Sequence, residues 1–150
     1  MIRLARQDDT SAIKQIAADT ELFPPDMLDD MIAGYLEQTT ADIGFVAEQD
    51  GQAVAFGFCE PERMTEGTWN LLAIGVHPRK QGTGIGSEMM RDLEGRLRDQ
   101  GQRILIVETM GTDEFNQTRQ FYLKNGYAKE ATIREFYEPG GDKVVFWKKL

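Results

Sequence analysis

Cysteine is almost missing from this chain: Cys59 stands alone. No internal disulfide can form, which excludes a small secreted scaffold held by bridges and leads us to expect a reducing, cytoplasmic setting. Histidine is equally scarce. One imidazole, His77, cannot supply the ligand set of a zinc centre, so no metal site is expected. No run reaches the ~18 apolar residues of a membrane span, and the opening Met1–Asp9 lacks the apolar core of a signal peptide. Positive charge is in deficit as well: 17 Lys and Arg face 25 Asp and Glu, a net charge of −8. Nucleic acid asks for a clustered basic face, so neither nucleic acid nor membrane is an expected partner. A cationic partner would instead be drawn by the field of the whole molecule.

What remains is enough for one core. With 150 residues, 41% of them hydrophobic, the chain suits a single domain over 1–150. Ile2 and Leu4 alternate about Arg3, a short first strand. Asp8-Asp9-Thr10-Ser11 offers N-cap residues before Ile13, Ile16 and Ala17 at helical spacing, and a second helix fits Asp26 to Leu36. Strands at Ile43–Gln49 and Gln52–Cys59 hinge on Asp50-Gly51, a strong hairpin dipeptide. Cys59 reads there as a small packed residue, and Glu60 to Gly67 as a loop. Trp69–Val76 is mostly apolar, as in a strand covered on both faces. Ile85, Met89, Leu93 and Leu97 line one side of a helix that Gly101 ends. Ile104–Val107 forms another buried strand. A further helix runs from Phe115 to Lys124, and Thr132–Tyr137 and Lys143–Trp147 are strands around Pro139-Gly140-Gly141. The order β-α-α-β-β-β-α-β-α-β-β predicts an α/β fold with a mixed sheet and helices on both faces.

The segment Gln81-Gly82-Thr83-Gly84-Ile85-Gly86-Ser87 carries the most chemistry. Alternating glycines at a helix mouth let several N–H groups converge on an anion, and the helix adds its own unpaired N–H groups and dipole. A P-loop requires Gly-Lys-Ser/Thr, and Gly86-Ser87-Glu88 has no lysine. A dinucleotide fingerprint needs its third glycine at 87, which is Ser87, and its turn follows the strand at once; here His77 to Gln81 intervene. Gln81, Gly84 and Gly86 instead satisfy Gln/Arg-x-x-Gly-x-Gly/Ala. Val76-x-Pro78 lies upstream and Asn116…Phe121-Tyr122…Asn125-Gly126-Tyr127 downstream. In these motifs the chain resembles the GNAT superfamily of N-acetyltransferases, most fully from Trp69 to Leu150. Gln81 stands where Arg is commonest in that family, and Tyr127 where Phe is usual.

The resemblance implies a mixed central sheet of about seven strands flanked by about four helices. It implies acetyl-CoA as co-substrate, its acetyl group passing to a primary amine by direct attack in a ternary complex. The pyrophosphate would rest on the loop of Gln81 and the amides of Gly82, Thr83, Gly84, Ile85, Gly86 and Ser87. The pantetheine arm would follow the backbone of Ile74 and Val76 and meet Asn116. Tyr122 matches the family's tyrosine that protonates the departing thiolate. On the acceptor side, an alkyl ammonium of pKa ~10.4 costs ~4.6 kcal/mol to deprotonate at neutral pH, so a base or water relay is valuable. Glu108, ending a strand at the expected wedge, leads; Asp113, Glu114 and a backbone-held water are rivals, and a structural role for Glu108 stays open. A small-molecule or peptide amine is the expected acceptor. Acids around Leu22–Pro25, Glu60–Gly67 and Glu138–Asp142 would suit a cationic one. Homodimerisation through the C-terminal strands is open. The alternative is a non-catalytic acyl-CoA-binding module, which would keep the loop and need neither Tyr122 nor a base. His77 reads as an incidental surface residue.

Overall fold

The computed structural model describes Met1–Leu150. Its elements are β1 (Ile2–Leu4), α1 (Thr10–Thr20), α2 (Leu28–Leu36), β2 (Ile43–Gln49), β3 (Gln52–Pro61), β4 (Thr68–Val76), α3 (Ile85–Asp99), β5 (Ile104–Met110), α4 (Asn116–Lys124), β6 (Ala128–Glu138) and β7 (Gly141–Lys149). The seven strands make one sheet in the order β1-β2-β3-β4-β5-β7-β6. Only β4 and β5 are parallel; α3 is their crossover, as a parallel pair requires. Seven strands and four helices are what the resemblance implied.

Each face of the sheet buries one helix pair. Met89, Met90, Leu93 and Leu97 of α3 pack with Phe45, Leu71, Leu105 and Phe146. On the opposite face, Ile13 of α1 and Leu28 and Ile32 of α2 pack with Val46, Phe56 and Phe58. Successive strand residues point to opposite faces, so Phe45 and Val46 are both fully buried, in different cores. No helix is long and apolar enough to cross a membrane.

Element ends depart from the sequence reading where local chemistry intervenes. Pro25 opens a 3-10 turn over Pro25–Met27, so α2 begins at Leu28 and not at Asp26. Asp9 does not cap α1 with its side chain. Its carboxylate instead takes two hydrogen bonds from Arg3, both 2.8 Å, and one from the Arg6 N–H at 2.7 Å. β3 continues through Glu60 to Pro61, taking residues assigned to the loop, and a 3-10 turn over Asp113–Phe115 delays α4 to Asn116. β6 begins four residues before Thr132, in a strand with no buried residue.

One irregularity shapes the site. Phe58 pairs with Ala73 and Cys59 with Leu71, so Leu72 has no partner on β3. This is a β-bulge, which bends and twists its strand. The pairing of β4 with β5 covers only Thr68–Leu71 against Ile104–Val107. Past the bulge, the two strands part.

Candidate active site

The parting strands open a cleft of about 720 Å³. Its walls include Leu71 to Val76 of β4, Val107 to Met110 of β5, the glycine loop, and Phe121, Tyr122 and Lys124 of α4. Thr20, Glu21 and Leu22 at the end of α1 and Tyr137 of β6 also line it.

The loop that enters α3 is tied down by its own polar groups. His77 is not incidental: its Nδ1 accepts from the Arg79 N–H at 3.1 Å and caps the 3-10 turn Pro78–Lys80. Gln81 Nε2 donates to the Val76 carbonyl at 3.0 Å, and Thr83 Oγ1 to the Lys80 carbonyl at 2.5 Å. Gly82 and Gly84 adopt φ of +77° and +90°, a region that costs other residues about 1–2 kcal/mol. A Cβ at either would meet nothing within 4 Å, so these glycines serve backbone shape and an open approach. Gly86 answers a different need: a Cβ there would come within 3.1 Å of the Phe121 ring, so its absence lets α3 and α4 close up. No side chain caps the first turn of α3. Gly82, Gly84, Ile85, Gly86 and Ser87 all line the cleft. The stretch therefore presents uncapped amides and a positive helix end to an open concavity, which fits a diphosphate. Lys80 and Lys124 are the cations lining the cleft; Glu21 and Glu108 are its only carboxylates.

Backbone groups along β4 extend this surface. The His77 N–H donates to Val54 O on β3 at 2.8 Å. Peptide groups alternate between strand edges, so those of Ile74 and Val76 turn to the edge that β5 has left. Both residues line the cleft, and Gln81 already holds one of the freed carbonyls, that of Val76.

Tyr122 is 4% exposed, packed among Phe121, Tyr127 and Phe146. Its hydroxyl makes no hydrogen bond within the chain, yet no sealed side-chain polar atom lacks a partner. The hydroxyl therefore opens onto the cleft that Tyr122 lines. Burial raises its pKa well above the usual tyrosine value, which keeps it a proton donor at neutral pH.

Glu108 lines the same cleft from β5. Asn70 Nδ2 donates to its Oε1 at 2.6 Å, and the Lys143 ammonium of β7 pairs with its Oε2. That ammonium also lies 4.1 Å from the centre of the Phe136 ring. The rival carboxylates Asp113 and Glu114 are exposed in their 3-10 turn and line no part of the cleft. Two residues assigned to the cofactor also stand outside it. Asn116 is exposed at the head of α4, where its neighbours Gln117 and Thr118 line the cleft instead; Thr83 turns to Lys80. The rim acids fare similarly. Asp29 pairs with Lys14, and none of Asp26, Asp30, Glu60, Glu62, Glu66, Glu135 or Glu138 lines the cleft. Cys59 is fully buried, and burial pushes its thiol pKa far up, so it is no nucleophile. Sequence reasoning passed over Asn70 and Lys143, although Asn70 is the one polar side chain within Trp69–Val76.

A glycine loop, a split parallel pair and a free tyrosine meet at one cleft, an arrangement that suits the acyl transfer implied by the resemblance. Comparison with known proteins agrees. The family model described as an acetyltransferase (GNAT) domain matches residues 40–129, and the chain belongs to that family. An uncharacterized N-acetyltransferase of Methanocaldococcus jannaschii is 24% identical over 150 residues, covering 99% of this chain and 91% of its own. A crystal structure of a GNAT-family protein from Desulfovibrio desulfuricans superposes with a TM-score of 0.90 at 25% identity, over 99% of both chains. A Salmonella typhimurium structure solved with acetyl-CoA has the same fold, with a TM-score of 0.80 at 18% identity over 100% of this chain and 93% of its own.

Proposed function

We propose that this protein is an acetyl-CoA-dependent N-acetyltransferase for a cationic primary amine, acting by direct attack in a ternary complex. The observation that carries this reading is the unpaired Tyr122 hydroxyl on the same cleft as Glu108 and the glycine loop. Bound acetyl-CoA supplies an activated thioester. The amides of Gly82, Gly84, Ile85, Gly86 and Ser87 hold its diphosphate, each anion–helix-end contact contributing about 0.3–1 kcal/mol and more where partly buried. Lys80 and Lys124 add charge at that end. The backbone of Ile74 and Val76 aligns the arm.

On the acceptor side, Glu108 attracts the ammonium and takes its proton, directly or through one water, so that a neutral amine attacks. Lys143 is the cation that Glu108 holds otherwise; an entering ammonium takes that place. Tyr122 donates its phenolic proton to the sulfur as the carbon–sulfur bond breaks, and the second proton shed by the acylated nitrogen restores the phenol; a thiol pKa of ~8.5 makes the sulfur a leaving group that needs little help. Glu21 at the cleft mouth favours a cationic acceptor, whether a small molecule or a peptide amine. The 150 residues serve as one catalytic domain, and the lone buried Cys59 suits a reducing, cytoplasmic setting.

The test is thiol release from acetyl-CoA with a panel of polyamines, amino acids and peptide N-termini. Acetyl-CoA binding seen as thermal stabilisation, without thiol release for any amine, would leave the non-catalytic module as the better account. Equal rates for cationic and neutral acceptors would remove the role given to Glu21.

A further inference from the structure

Asn70 is one of four buried polar residues in the chain, 5% exposed, between the core residues Trp69 and Leu71. A buried amide is costly unless its hydrogen bonds are made, and an aliphatic residue at this position would pack more cheaply. Its two N–H hydrogens go to two carboxylates from different elements: Glu108 Oε1 of β5 at 2.6 Å, and Glu62 Oε2, just beyond β3, at 3.2 Å. An amide facing two carboxylates must present nitrogen to both, since its oxygen would be repelled; the orientation is fixed by chemistry. Asn70 also sits where β4 is still paired, opposite Ile106, one step before the last pair, Leu71 with Val107. It is therefore anchored on the rigid side of the fork while Glu108 lies on the opening side. Lys143 holds the other oxygen of Glu108. The groups facing that carboxylate are thus Asn70 from β4 and Lys143 from β7, with Glu62 reaching it only through Asn70.

We propose that Asn70 is a positioning residue for acetyl transfer, fixing the rotation of the Glu108 carboxylate and favouring its ionised form, with Glu62 as the anchor behind it. This rests on the role given to Glu108 above. A donor aimed at an ionised carboxylate stabilises that form, and a base held in one rotamer loses less to disorder when substrate arrives.

The test combines the Asn70→Ala and Glu62→Gln variants with 13C NMR titration of the Glu108 carboxyl in the protein without co-substrate. In N70A the carboxyl should titrate about one pH unit higher than in the wild type. Its kcat for the amine should fall between about 10- and 100-fold, with KM for acetyl-CoA unmoved. The basic-going limb of the rate profile should move up with the carboxyl, whereas E62Q, which loses the anchor together with a neighbouring negative charge, should lower kcat by less than N70A without raising the titration. In a Glu108→Gln background, N70A should cost nothing more. A Glu108 titration in N70A that matches the wild type overturns the positioning, whatever the activity. A shifted titration with undiminished turnover in both N70A and E108Q overturns instead the role of Glu108. Equal losses from N70A with and without Glu108 would mean that Asn70 serves the fold alone.

Discussion

Strand β7 supplies a lysine to two carboxylates, one on each face of the sheet. Glu94 of α3 pairs with Lys148 at 2.9 Å, and Glu108 of β5 pairs with Lys143. Both lysines come from β7, five residues apart, and an odd separation along a strand sends them to opposite faces. The surroundings differ. Glu94 is 5% exposed, and the buried Tyr127 hydroxyl donates to it at 2.7 Å. Lys148 in turn donates to the Asn125 carbonyl at 2.9 Å, tying the end of α4 to β7. Every member of that cluster is hydrogen-bonded inside the fold. Glu108 is held as firmly but lines a cleft, and the nearby Tyr122, unlike Tyr127, has no partner for its hydroxyl. Two tyrosines five residues apart are thus separated by what they leave unfinished: the completed network ties the fold together, and the incomplete one is where we place the chemistry.

The sharpest way to break this distinction is to neutralise each carboxylate in turn. Glu108→Gln should lower kcat by about 10²–10⁴-fold, the usual contribution of a positioned base, with the melting transition little changed. Glu94→Ala should leave Lys148 charged and Tyr127 unpartnered, costing about 3–5 kcal/mol of stability while the folded fraction keeps its KM for acetyl-CoA. Denaturant titration and steady-state kinetics on both variants decide. A Glu108 variant that is unstable and active, or a Glu94 variant that is stable and inactive, would reverse the assignment.

The tyrosines repeat the comparison at smaller scale. Tyr122→Phe removes only a hydroxyl that makes no hydrogen bond in the chain, so stability should hold while thiol release slows about 10²-fold. Tyr127→Phe takes a donor from Glu94 and should cost about 1–3 kcal/mol with little kinetic effect. Gly84→Ala probes the loop between these extremes. Its φ of +90° makes alanine strained by about 1–2 kcal/mol, and acetyl-CoA affinity measured by calorimetry should weaken by more than stability does.

How far these assignments are legible in the sequence depends on the range of the signal. The glycine loop and the run Ile85 to Leu97 are local patterns, and both appear where spacing puts them. Tyr122 is legible through its motif. Other features depend on what lies across the sheet. Glu108 and Asn70 are 38 residues apart and meet only through the register of β4 and β5. The bulge at Leu72 leaves no mark in a run of apolar residues, though it opens the cleft. β6 has no buried residue, so its first half carries no alternation to read. The rim acids show the reverse failure: acidity along the chain says nothing of which carboxylates line the cleft, and Glu21 and Glu108 are the two that do.

The same buried groups set the pH limits of the fold, with opposite signs at the two ends. The Arg3 hydrogen bonds hold the Asp9 carboxyl below its ordinary 3.8, against the opposing effect of burial. A depressed folded value means that its contribution is complete above about 3.8 and is lost as pH falls through the folded value. Burial raises Tyr122 and Tyr127 above their ordinary 10.0, Tyr127 further through its bond to Glu94. In the unfolded chain these phenols ionise near pH 10 and in the fold they do not. Their contribution is therefore complete below pH 10 and declines above it, by about 1.36 kcal/mol per pH unit for each group. Buried Cys59 adds a similar decline from its ordinary 9.0. Stability measured by urea titration across pH should fall at both ends. Y122F should make the alkaline limb shallower by one group and leave the acid limb alone, whereas Asp9→Asn should flatten the acid limb only. An alkaline limb unchanged in Y122F would mean that the Tyr122 phenol ionises in place, and a phenol that ionises so readily in the fold would not be the sheltered donor we propose.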